Sequence, residues 1–283
     1  MKKEAFEIKL QQIKLIVFDV DGTLVDDDQV LGERTISVIH KLQQRGLVVS
    51  IATGKIFPSV KKVMQMLEIT VPVILANGAL IQYPDEKILF EEYVDSEIVR
   101  EITAGEKRST ADLALFTPQN IYVLEENYNT DHIAVEFKET ITVVGNWESV
   151  TDHLNEICKA IWINRLDQPM IQKLTSDLRR KYGNRLSLST GAPCSIEAMP
   201  VGVSKQSGLV KVTEHLNIPM QSVMVFGDQI NDLEMLQAAG LSVGMGNAVD
   251  IVKDSVDLVI GTNNEEGAAR FLQEAFLSSN VPH

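Results

Sequence analysis

A chain of 283 residues, 45% hydrophobic and 23% charged, is long enough for two ordinary domains and apolar enough to bury a core, which excludes a disordered chain. A formal net charge of −13 disfavours nucleic acid and anionic membranes as partners, and it obliges any phosphate site to be locally positive. The longest apolar runs, such as Val71 to Ala76, are too short to span a bilayer, and the basic start leads only to Leu15–Phe18 before carboxylates, so no signal peptide is read and a cytoplasmic protein is expected.

Lys14 to Phe18 reads as a buried strand running into Asp19-Val20-Asp21-Gly22-Thr23. Ile36, Ile39 and Leu42 recur at helical spacing over 33–45, and Gly46 stops that helix. Leu47 to Ala52 is a second apolar strand, ending at Thr53-Gly54. A helix over 58–67 carries Val60, Val63 and Leu67 on one face, and a third strand, Pro72 to Ala76, ends at Asn77-Gly78. Apolar strands alternating with amphipathic helices predict a parallel sheet covered on both faces.

The rhythm changes near Tyr83-Pro84. Shorter strands are expected at Ile88–Tyr93, Leu113–Phe116, Ile121–Leu124, Ile141–Val144, Ala160–Asn164 and Leu186–Ser189, with helices at about 96–107 and 167–181. From Val201 the first rhythm returns, with strands at Val223–Phe226, Leu241–Val243 and Leu258–Ile260 and a helix over 231–239. The expectation is a discontinuous α/β core, residues 1–83 and 195–283, with an α+β domain, 84–194, inserted in it. The two cysteines, Cys158 and Cys194, form no disulfide framework and read as packing residues in a reducing compartment.

Three strand ends carry polar punctuation: the Asp19–Thr23 segment, Thr53-Gly54, and Gly227-Asp228-Gln229-Ile230-Asn231-Asp232. Each has a bland reading alone: a turn, a loop, a helix cap. Ligands of a doubly wound sheet, however, gather outside the carboxyl ends of its strands. Convergence there would collect Asp19, Asp21, Asp228 and Asp232. So many carboxylates repel unless a cation joins them. A hard ion held by carboxylate, water and substrate phosphate describes Mg²⁺, and these motifs offer no Cys or His for zinc.

With these residues in view, the sequence resembles the haloacid dehalogenase (HAD) superfamily of phosphohydrolases, in its Cof-like, type IIB branch. The family's DxDGT matches Asp19–Thr23, its strand-closing Thr matches Thr53, its lysine matches Lys205, and its GDxxND matches Gly227–Asp232. Val243-Gly-Met-Gly-Asn-Ala248 and Asn264-Glu-Glu-Gly267 extend the likeness. The resemblance implies a Rossmann-like parallel-sheet core with an inserted α+β cap of type C2. It implies a Mg²⁺-dependent phosphatase acting on small phosphomonoesters, such as sugar phosphates or phosphorylated cofactors, through an aspartyl-phosphate. Asp19 is then the nucleophile, and Asp21 the acid that protonates the leaving oxygen and later activates water. Mg²⁺ is held by Asp19, the Asp21 carbonyl and Asp228, with Asp232 contributing through water. Thr53, Gly54, Lys205 and Asn231 bind the phosphate or orient the site. The implied partner is a small phosphorylated metabolite, and the chain a monomer or homodimer.

Two positions depart from the family pattern. Lys55 stands where an arginine often follows Thr-Gly, and Gln206 where a glycine often follows the lysine. Both bear on substrate rather than on chemistry. In the cap, Tyr122, Tyr128, His132, Trp147 and Trp162 are tempting specificity residues, but a core or surface role is the expectation for each. Asn77-Gly78 faces the same rim, as a turn or as a substrate contact. The alternatives are a phosphomutase, which returns the phosphoryl group to a sugar, and a non-catalytic phosphate-binding regulatory module. Retention of Asp21 argues against the latter, because binding alone needs no acid.

Overall fold

The computed structural model describes residues 3–106, 111–136, 139–190 and 193–278. The expected final residue of the 96–107 helix and the extreme ends of the core segments lie outside them. After helix α1 (Lys3–Gln12) come β1 (Leu15–Phe18), α2 (Glu33–Gln44), β2 (Val48–Ile51), α3 (Phe57–Met66), β3 (Val73–Leu75), β4 (Leu80–Gln82) and β5 (Ile88–Glu91). The inserted part holds α4 (Ser96–Glu106), β6 (Asp112–Phe116), β7 (Ile121–Val123), β8 (Ile141–Val143), β9 (Lys159–Ile163), α5 (Gln168–Tyr182), β10 (Leu186–Ser189) and β11 (Ser195–Pro200). The chain then returns through α6 (Lys205–Leu216), β12 (Val223–Gly227), α7 (Leu233–Ala238), β13 (Leu241–Gly244), α8 (Asp250–Lys253), β14 (Leu258–Val259) and α9 (Gly267–Leu272).

The core is a five-stranded parallel sheet in the order β14-β13-β12-β1-β2. Every residue of β1 and β12 is buried, as a sheet covered on both faces requires. Phe18 stacks on Phe226 with ring centroids 4.8 Å apart. Burying one such side chain is worth about 1.5–3 kcal/mol, so this central pair anchors the sheet. Register does the rest: Phe18 lies opposite both Phe226 and Ile51, so the residues that follow all three leave the sheet at one level.

The third strand departs from expectation. β3 touches the core sheet through one parallel bridge, Ala52 to Ile74, and otherwise pairs antiparallel in a separate sheet, β3-β4-β5. The chain reverses after three residues because Ala76 and Asn77 both turn left-handed, at φ 46° and 55°. Helix α6 was also not among the expected elements, although Leu209, Val212 and Leu216 recur at helical spacing in it. Its start is fixed by a capping box: Ser204 Oγ accepts the Ser207 N–H, and Ser207 Oγ accepts the Ser204 N–H.

The inserted part is a six-stranded mixed sheet, ordered β10-β11-β9-β6-β7-β8, in which β7 and β8 alone run parallel among these pairs. One face, including Leu115, Ala160, Trp162 and Ile196, forms its own core with helices α4 and α5. The opposite face, including Phe116, Ile161 and Met199, joins the hydrophobic cluster of the parallel sheet. The boundary expected at 194/195 therefore needs correction, because β11 pairs with β9 and β10 in this sheet. Ser195 and Glu197 alternate with Ile196 and Ala198, the two-faced pattern of a sheet covered differently on each side. The core resumes after a turn of four residues, 201–204. At the other crossing, β5 still pairs with β4, so the chain leaves the core after Glu91 rather than at 84. Among the described residues no helix is long and apolar enough to cross a membrane.

Candidate active site

The level strand ends bring the carboxylates together. Asp19 follows β1, and its N–H donates to the Phe226 carbonyl at 3.0 Å, which ties the β1 end to β12. The loop beyond it folds tightly over Asp228. Gly22 sits at φ +72°, and a Cβ there would lie 2.5 Å from Asp228 Oδ2, so only glycine allows both the turn and the approach. Thr23 Oγ1 donates to Asp228 Oδ1 at 3.2 Å, and Gln229 Nε2 donates to Oδ2 at 3.2 Å. Asp232 is fully buried; its Oδ2 accepts the N–H groups of Asp228 and Gln229, each at 3.0 Å.

Lys205 enters from the first turn of α6. Its ammonium donates to Asp19 Oδ1 at 2.5 Å and to Asp232 Oδ1 at 2.7 Å. Helix α6 reaches this depth because Gly78 leaves room: a Cβ there would lie 2.2 Å from the Ser204 carbonyl oxygen. Burial alone would drive the Lys205 ammonium toward neutrality. Asp19 and Asp232 outweigh that and hold it charged, well above its ordinary value. Burial pushes the Asp19 carboxyl up, against the pull of Lys205, and the charges of Asp232, Asp228 and Asp21 push the same way. Asp228 is pushed up to about 7, first by burial and then by Asp232.

These shifts describe a carboxylate cluster short of positive charge. One oxygen each from Asp19, Asp228 and Asp232 lies within 4.8 Å of the others. Asp232 is the most heavily used of the three, with Lys205 on one oxygen and two backbone N–H groups on the other, against one donor on each oxygen of Asp228 and Lys205 on Asp19, so Asp19 and Asp228 keep more lone pairs for an ion. Asn231 Oδ1 is buried without a hydrogen-bond partner, and Asp21 Oδ1 meets the Lys55 ammonium at 3.4 Å. An all-oxygen donor set with an unsatisfied acceptor beside it fits a hard divalent cation.

The crevice in front of this cluster encloses about 480 Å³, and Asp19, Asp21, Gly54, Lys205, Asp228 and Asn231 line it. Thr53 and Asp232 do not reach its wall and lie buried beneath it. Thr53 Oγ1 accepts the Lys55 N–H at 3.1 Å, while its carbonyl accepts the Asn77 N–H at 3.0 Å, so it shapes the loop that presents Gly54. Asn77 is also buried: its Oδ1 accepts from Asn231 Nδ2 at 3.2 Å, and its Nδ2 donates to Glu197. Asn77-Gly78 is thus a turn that joins parts of the site, off the crevice wall.

The roof carries residues that sequence reasoning missed. Lys159 and Glu197 point down from β9 and β11, 3.4 Å apart, and Lys159 Nζ also donates to the Gly54 carbonyl at 2.6 Å. Glu139 accepts from Ser59 Oγ and lies 3.6 Å from Lys55, which in turn lies 3.4 Å from Asp21. The available signal for Lys159 and Glu197 was parity: one charged residue in each of two largely apolar strands, on the same face as Ile161 and Ser195. Of the five tempting residues, His132 lines the crevice. Tyr122 and Trp162 belong to the buried far face of the sheet, and Trp147 packs against it. Tyr128 is exposed beneath the Arg165 guanidinium.

A model of the haloacid dehalogenase-like hydrolases matches residues 16–272. The 5-amino-6-(5-phospho-D-ribitylamino)uracil phosphatase YitU of Bacillus subtilis is 30% identical over 270 residues, covering 93% of this chain and 97% of that protein. An HMP-PP phosphatase of Cronobacter sakazakii is 28% identical, covering 92% and 94%. The crystal structure of a haloacid dehalogenase-like hydrolase from Bacteroides thetaiotaomicron superposes with a TM-score of 0.84 at 23% identity, covering 93% of this chain and all of the other, a likeness of fold.

Proposed function

The chain belongs to the haloacid dehalogenase-like hydrolases and is a phosphoric monoester hydrolase, and from that premise we propose that it hydrolyses small phosphorylated metabolites by way of a phosphoaspartate on Asp19, with Mg²⁺ as its cofactor. The observation that carries this reading is the seating of Asp19 between Lys205 and Asp228 at the crevice floor, with Asp21 on the same wall. Asp19, Asp228 and the Asp21 carbonyl would hold Mg²⁺. When bound, the ion offsets the charge of the crowded carboxylates and of the phosphoryl oxygens, which lowers the repulsion to attack.

Lys205 occupies Asp19 Oδ1, so Oδ2 is the attacking oxygen. It bonds to phosphorus as the bond to the leaving oxygen breaks, and Asp21 gives that oxygen its proton. Asp21, now a carboxylate, takes a proton from a water that attacks the phosphoaspartate. The bond to Asp19 breaks and inorganic phosphate leaves. Lys205 stays charged throughout and balances the phosphoryl group. Gly54 and Asn231 hold phosphate oxygens, Thr53 supports Gly54 from beneath, and the inserted sheet acts as the cap.

Asp19→Asn keeps the side chain's shape and removes the nucleophile. Turnover should fall roughly a thousand-fold or more while circular dichroism shows the fold retained. Acid-quenched during turnover and digested, the parent should show one phosphate adduct on the peptide that carries Asp19 by mass spectrometry. A variant as active as the parent defeats the proposal.

A further inference from the structure

The charges around the crevice bear on the leaving group. Seven carboxylates line it against three lysines, with no arginine among the described residues. Each lysine is already closed on a carboxylate: Lys205 on Asp19 and Asp232, Lys55 on Asp21 and Glu139, Lys159 on Glu197. Lys159 is 3% exposed and sits 4.4 Å above the Phe116 ring. Beyond the phosphoryl centre the wall sets acidic groups among Phe116, Ile133, Ile161 and Ile163, with His132 and Ser195 beside them.

A second phosphate or a carboxylate on the substrate would have to share one of these lysines with the carboxylate that it already serves. Sharing weakens a buried ion pair and brings two anions together, which is unfavourable. A hydroxyl or an amine meets the opposite situation. Glu197 accepts it, Lys159 and Asn77 fix the Glu197 carboxylate in place, and the apolar roof covers the carbon skeleton. Resting on the phosphatase reading, we infer that the substrate is a monophosphate whose leaving group carries no second anion and offers hydroxyl or amino donors, with Glu197 selecting it. Lys159 is a positioning residue that acts through Glu197.

Three esters on one ring test this: glucosamine 6-phosphate, glucose 6-phosphate and glucose 1,6-bisphosphate, with p-nitrophenyl phosphate as the reference. Phosphate release should give kcat/KM at least about ten-fold lower for the bisphosphate than for the other two. Glu197→Gln should move the amine-to-bisphosphate ratio about ten-fold toward the bisphosphate, and Lys159→Met should move it the other way. A merely structural role would lower all esters together and leave the ratio alone. The opposed signs keep the test intact if one variant folds badly. If p-nitrophenyl phosphate is hydrolysed but the bisphosphate matches the other two, or none of the three is turned over, the inference fails and the phosphatase stands. If no ester is hydrolysed at all, the phosphatase reading fails and takes the inference with it.

Discussion

The two sheets use the same strand chemistry in opposite ways. The parallel sheet has central strands, β1 and β12, without a charged or polar side chain, and it holds its carboxylates at strand ends, where Asp19 and Asp228 leave them. The inserted sheet holds its charged groups within strands, on one face: Lys159 and Ile161 look into the crevice, while Ala160 and Trp162 look away. Reactive groups at strand ends share one loop level and are held to each other by backbone register. Groups on a face come from separate strands, so a side chain can be exchanged without moving the backbone that carries the next. The division suits fixed chemistry below and variable recognition above.

The sharpest test of that division is Asp21→Asn, a strand-end change that should split the two half-reactions. Steady-state turnover should fall about 10²–10⁴-fold. With p-nitrophenyl phosphate, whose leaving group needs little protonation, rapid quench should show a burst of p-nitrophenol and then a slow phase, because the phosphoaspartate waits for its base. A sugar phosphate should show no burst. Equal losses with both esters and no burst would reduce Asp21 to a loop residue and blur the contrast between floor and roof.

Asp228→Asn comes next in size. A carboxyl raised to about 7 in the fold contributes stability below its unfolded value of 3.8 and loses it as pH rises through about 7. In chelator at pH 8, the variant should therefore outlast the parent, by at most roughly 4 kcal/mol. Mg²⁺ should raise the melting temperature of the parent and do little for the variant. A parent that melts higher than the variant in chelator at that pH contradicts the crowding argument.

The smallest effect belongs to the roof. Burial raises the Glu139 carboxyl, opposed by Lys55 and Ser59. Its contribution is thus present below 4.5 and lost as pH rises through the raised value. Melting curves of Glu139→Gln against the parent should shift in favour of the variant as pH increases from acid to neutral. A difference that stays flat with pH means Glu139 is not buried against the floor.

The floor was legible because its residues come in contiguous words. Asp19–Thr23 and Gly227–Asp232 each span a loop, and a loop that binds a ligand leaves a local record in sequence. Lys205 was legible by resemblance, although the helix it begins was not among the expected elements, its stripe being only Leu209, Val212 and Leu216. The roof was illegible for a physical reason. Lys159, Glu197 and Glu139 come from separate strands and loops, and only the pairing of β9 with β11 makes neighbours of the first two. The aromatics drew the eye, but parity puts Tyr122 and Trp162 on the buried far face. The short third strand misled for a related reason: its apolar run matches a core strand, and the left-handed pair Ala76-Asn77 that turns it aside has no hydrophobic signature.

The four-residue turn between β11 and α6 has a consequence for how such a chain diverges. Glu197 and Lys205 are eight positions apart in the same short stretch of gene. A one-residue insertion within β11 would exchange its faces, turning Ile196 or Ala198 to the crevice in place of Glu197. An insertion in the turn itself would strain the Ser204 cap that seats Lys205. This seam therefore tolerates point substitution and resists changes of length. Lineages that alter their substrate here should do so one side chain at a time on β9 and β11, and grafts of a foreign cap should fail at this join before they fail at the other.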